Sequence, residues 1–181
     1  VKDNTVLQTS KPLHLGFLTV LHESSGYLGG YLVTNTWGRP VEFRLTTTVQ
    51  PNRVQQVLYG PTLLSFVQGE LIGKILVEKS ATPVDLIVTE RLPVLELRRH
   101  VSVPVVWATR EQPPIPESYC LVAAAESLRP ALYLSSRQRD DLERVREVLA
   151  QVDETFDLLE PFGRIREAIA EARKQGVTAR G

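Results

Sequence analysis

The stretch LHLGFLTVLHE, residues 13–23, is rich in β-forming side chains and apolar at both odd and even positions. Successive side chains of a strand point to opposite faces, so a strand of this kind belongs at the centre of a sheet, covered on both sides. A second strand-like segment, YLGGYLVTN at 27–35, follows after a break of hairpin length. A third, VEFRLTTTV at 41–49, alternates: Val41, Phe43, Leu45, Thr47 and Val49 fall on a face expected to be buried, and Glu42, Arg44, Thr46 and Thr48 on a wet one.

Asn52 is placed to cap a short helix carrying Val54, Val57 and Leu58, and Gly60-Pro61 interrupts it. Proline suits a first helical turn, so Pro61 is expected to open a second helix over 62–79, with Leu64, Val67, Leu71, Ile75 and Leu76 on one stripe. Then come a β-branched strand at 84–89, a short helix at 93–100 and another strand at 103–108. Strand, helix and strand with short links make a crossover, normally parallel and right-handed. The predicted fold class is therefore α/β, an α+β mixed sheet: a three-strand antiparallel meander, then α-β-α-β.

EQPPIPES at 111–118 reads as an extended link, with a possible extra strand before residue 135. Ser135 with Gln138 fits a capping box, and apolar residues then recur three and four apart at Leu142, Val145, Leu149, Val152, Phe156 and Leu159. This is the strongest periodic signal in the chain. Pro161 shifts the phase, after which Phe162, Ile165, Ile169 and Ala172 lead to Gly176, a natural C-cap. The expected organisation is a mixed α/β domain over 1–110, the link over 111–134 and a C-terminal helical hairpin over 135–181.

Apolar residues make up 43% and charged residues 23% of the 181, ordinary values for a globular protein. No apolar run approaches the ~18 residues of a spanning helix, so no membrane association is expected. Charges balance at 21 basic and 21 acidic residues, leaving no overall field to draw the chain to nucleic acid. Cys120 is the single cysteine, which excludes an internal disulfide or a multi-cysteine zinc site and points to the cytoplasm. Sixteen arginines against five lysines suggest a bacterial gene.

GGYLVTNTWGRPVEF, residues 29–43, invites reading as a ligand loop. Gly26, Gly29 and Gly30 lie between two strands with the wrong spacing for a dinucleotide fingerprint, and Gly29-Gly30 is read as a bulge or close backbone approach. NTWGRP is a hairpin turn with Gly38 supplying a positive φ, and only Trp37 and Arg39 at its tip are left as a candidate ligand contact. GELIGKI at 69–75 fails as a phosphate-binding loop in spacing and in its final residue; Gly69 and Gly73 suggest close helix packing instead. His14, His22 and His100 are too scattered for metal-ligand spacing, and neither Ser24-Ser25 nor Cys120 has a nucleophile's context. Arg91, Arg98, Arg99 and Arg110 are interleaved with Glu90, Glu96 and Glu111, the pattern of a solvated mixed-charge face.

The element order resembles the ribonuclease H-like topology. That resemblance implies acids on the first strand, first helix and fourth strand that bind two divalent metals for phosphodiester cleavage. Here those acids are Glu23, Glu70 and Glu90, with Mg²⁺ or Mn²⁺ as cofactor. No other cofactor is expected. The leading expectation is a non-catalytic binding or assembly module of a bacterial complex, taking a protein partner or a second copy on the stripe from Leu142 to Leu159. The alternative is a metal-dependent nuclease or phosphoryl-transfer enzyme.

Overall fold

A computed structural model of the protein describes residues 11–176. β1 (Leu15–Glu23), β2 (Gly26–Thr34) and β3 (Pro40–Leu45) form the expected meander. β4 (Leu86–Thr89), β5 (Val105–Thr109), β6 (Tyr119–Ala123) and β7 (Ala131–Ser135) extend it to a seven-stranded mixed sheet, ordered β3-β2-β1-β4-β5-β7-β6. β1 runs antiparallel to β2 and parallel to β4, with Phe17 beside Val88. β5 is parallel to β4 and antiparallel to β7. The chain is thus of the α/β class, and β6 and β7 both fall in the stretch read as link and extra strand.

The two parities of β1 feed two cores. Leu15 and Phe17 join Leu32, Val88 and Val106 on one face of the sheet; Leu18 and Val20 join Tyr31, Val33 and Ile87 on the other. All six residues from Leu15 to Val20 are buried, as the doubly apolar pattern requires. The first face is closed by α3 (Leu142–Leu149) and α4 (Glu160–Lys174), through Val145, Phe162, Ile165 and Ile169. Phe17 meets Phe156 and Phe162 edge-on at 5.7 and 5.8 Å between ring centroids. The second face is closed by a π-helix (Ser65–Gly73), α2 (Lys74–Lys79) and a 3₁₀ helix (Leu92–Arg99).

Where both layers cross β2, two adjacent glycines let them approach. A Cβ on Gly29 would overlap the Ile72 side chain from the π-helix, and one on Gly30 would overlap Ile165 of α4. The close-approach reading of this pair holds, while the irregularity in register lies further on, between Val33 and Thr34. Gly38 takes φ 82° in the turn to β3, as the hairpin reading requires. The Asn35 side chain stabilises that turn by accepting from the backbone N–H groups of Trp37 and Arg39, at 3.0 and 2.9 Å.

Four local expectations are corrected. Residues 62–79 do not form one α-helix: a 3₁₀ turn (Gly60–Thr62) leads into the π-helix, whose i→i+5 winding buries Val67 and Ile72 and turns Leu64 and Ile75 outward. In β3 the expected faces hold at Leu45, which packs partly buried against the first core, but not before it. Val41 and Phe43 are exposed on this edge strand, whereas Glu42 on the supposedly wet face is bonded to residues 80–82. Ser135 makes no capping bond, and a 3₁₀ segment (Ser136–Asp141), with Gln138 outside helical geometry, precedes α3. Finally, α3 packs over β6 and α4 over β1 and β2, so the two helices share a face but cover different parts of it instead of forming a paired hairpin.

Candidate functional site

Ligands of open sheets with parallel strands gather beyond the carboxyl ends of those strands. Here β4 ends at Glu90. Its Oε1 accepts from the buried Thr19 hydroxyl of β1 at 2.7 Å and is paired with Arg166 of α4. Two helical turns on, Arg173 forks across both oxygens of Glu23 at the end of β1. The Arg173 guanidinium holds the Glu23 carboxyl below the ordinary range, against the opposing effect of burial. Both carboxylates therefore fasten α4 to the sheet.

Glu70 lies on the π-helix, which packs on the opposite face from α4. The structure does not bring the three glutamates together. Among the described residues, no group of three or more His, Cys, Asp or Glu side chains is arranged to hold a metal ion. At Glu90 the Oε1 atom already serves both the Thr19 hydroxyl and the Arg166 guanidinium, so a cation there would compete with the Arg166 charge. Of the arginines in the middle of the chain, Arg98 clasps Asp141 at 2.6 Å and Arg99 bonds Glu96 at 2.7 Å, so both charges are matched. Cys120 is a free, half-buried thiol, and His22 stacks on Tyr27 at 4.3 Å.

The C-terminal stripe faces inward. Val145, Val152 and Phe156 are buried in the core beneath α3 and α4, and Leu142, Leu149 and Leu159 pack partly buried against the same cluster. The stripe also outruns its helix, because α3 ends at Leu149 and the chain crosses to α4 as a loop. Arg129 holds that loop by donating to the Val152 and Asp153 carbonyls at 3.1 and 2.7 Å. At the β2–β3 turn, Trp37 and Arg39 are exposed, and Arg164 of α4 donates to the Gly38 carbonyl at 2.8 Å. The turn is thereby docked on the helical layer, with the Trp37 ring left in solvent.

Solvent-facing apolar side chains concentrate elsewhere. The helix capped by Asn52, α1 (Arg53–Tyr59), has a complete capping box with Gln55 and buries no residue. Val54, Val57 and Leu58, spaced i, i+3, i+4, form one stripe and are 65, 64 and 78% exposed. Leu64 beyond it is also exposed. Of the nineteen residues 46–64 only Pro51 is buried, and the twenty-five residues 45–69 contain one charge, Arg53. A surface segment with a single charge in twenty-five residues is the sequence signal that marks this site, and apolar periodicity alone does not report it.

No protein-family model matches the chain, and no curated protein matches it in sequence. Among the described residues no helix is long and apolar enough to cross a membrane.

Proposed function

We propose that the protein is a non-catalytic binding or assembly module of a bacterial cytoplasmic complex. The observation that carries this reading is α1: a helix of seven residues, capped at its first turn, whose apolar stripe faces water. Helices this short owe their stability in proteins to tertiary packing. Here only Tyr59, at the end of α1, stacks on its own chain, against Phe66 at 3.9 Å, and the exposed stripe gains its packing from a partner. The C-terminal stripe serves the module as scaffold, holding the sheet rigid behind α1.

A second reading, a metal-dependent nuclease of ribonuclease H-like fold, is favoured by the run β3-β2-β1-β4-β5, with β1 flanked by an antiparallel β2 and a parallel β4. It needs Mg²⁺ or Mn²⁺ at Glu23, Glu70 and Glu90, and the pairing of Glu90 with Arg166 argues against it. Native mass spectrometry on gently purified protein separates the two. An oligomer or hetero-complex free of metal supports the module. A monomer retaining divalent metal, with the metal lost in Glu90→Gln, supports the nuclease.

A further inference from the structure

We infer that the partner covering α1 is a second copy of this chain, with the two α1 helices packed antiparallel about a two-fold axis. The inference rests on the module reading and names its partner.

Size is the first argument. Residues 46–64 expose thirteen of their nineteen positions and half-expose five more, a stretch that approaches the ~20 residues each side of a standard interface contributes. Charge is the second. Interface centres are depleted in charged residues, and this segment carries a single one while the chain as a whole is 23% charged. A surface with no charge pattern has little with which to select an oppositely patterned protein. It is, however, complementary to itself: apolar side chains match apolar side chains, and the exposed Gln50 and Gln56 amides each carry a donor and an acceptor.

The lone charge then fixes the orientation. A parallel arrangement sets the two Arg53 guanidinium groups side by side. The antiparallel one sets each Arg53 beside the carboxyl end of the partner's helix, where the dipole is negative and the last turn has no basic residue of its own. A two-fold contact of this kind closes on itself and gives a dimer.

Sedimentation velocity on the full chain, over roughly 1 to 100 μM, is expected to show a monomer–dimer equilibrium. Leu58→Glu and Leu58→Lys each place like charges across the axis and are expected to weaken association by about 100-fold or more. Both variants should remain folded by circular dichroism, because Leu58 is 78% exposed in the protomer. Mixing the two restores the dimer as a Glu–Lys heterodimer, which only an isologous contact through position 58 predicts. In a measurement that needs no variant, exchange of the α1 amide hydrogens slows as protein concentration rises.

A wild-type monomer throughout the range, or a Leu58→Glu protein that dimerises like wild type, overturns the inference. A complex with a different protein and no self-association also overturns it and leaves the module reading standing. A metal-bearing monomer overturns both.

Discussion

Glu42 sits at a position that simple alternation gives to water, yet its carboxylate is among the most heavily bonded groups in the protein. It accepts from the Ser80 hydroxyl at 3.0 Å and from the backbone N–H groups of Ala81 and Thr82 at 3.0 and 2.8 Å, and it pairs with Arg44. Burial alone raises its pKa; the donors outweigh burial and bring it down from 4.5 to about 2. A folded pKa below the unfolded one contributes stability that is complete above about 4.5 and is lost as pH falls toward 2. Glu42→Gln is expected to cost about 1–3 kcal/mol at neutral pH and to flatten the loss of stability through that acid window. Urea unfolding at neutral pH and near pH 3 checks this; an unchanged acid limb excludes the role given to Glu42. Tyr31 presents the opposite case. Its hydroxyl is buried against Gly16 without a hydrogen-bond partner among the described residues, and burial pushes its pKa upward. Tyr31→Phe should therefore leave stability unchanged or raise it by about 1 kcal/mol, and a lowered melting temperature would show that the hydroxyl contributes a bond.

At the scale of elements, Val145→Asp and Leu58→Glu ask the same question of two helices and should receive opposite answers. Val145 of α3 is fully buried, so an aspartate there is expected to unfold the protein, at a cost above about 3 kcal/mol, whereas α1 buries nothing. Loss of near-ultraviolet dichroism in the first variant and its retention in the second are the readout. Both stripes were plain in the sequence, because i, i+3, i+4 spacing fixes which side chains share a face. Spacing does not fix what that face meets. The α3 stripe turned inward because the sheet offered it an apolar face, and the α1 stripe turned outward because the second core was already closed by the π-helix and the Leu92–Arg99 segment. The central strand was legible for a stronger reason: being apolar at both parities, Leu15–Val20 has no arrangement that leaves one face wet. The π-winding of Ser65–Gly73 was not legible, since it answers to contacts more than twenty residues away: Gly69 and Gly73 lie against Glu96 and Leu97. The fate of Glu23 and Glu90 was hidden similarly, because their arginine partners stand 150 and 76 residues along the chain.

For the molecule as a whole, those two ion pairs join α4 to the carboxyl ends of β1 and β4. Arg166→Ala leaves Glu90 with the Thr19 hydroxyl alone and is expected to cost about 1–3 kcal/mol, with the added cost falling as salt is raised. Denaturant titrations at low and high salt test it; a cost independent of salt would assign Arg166 to packing instead of charge. The separation along the chain also has a consequence in time. β1 and β2 emerge from a ribosome well over a hundred residues before the Phe162, Ile165 and Ile169 side chains that cover one of their faces. At typical rates of about 5–20 residues per second, that apolar face stays bare for several seconds or more of synthesis. Over that interval the nascent chain is an open half-sandwich, and chaperone demand during translation should fall sharply once α4 has left the exit tunnel.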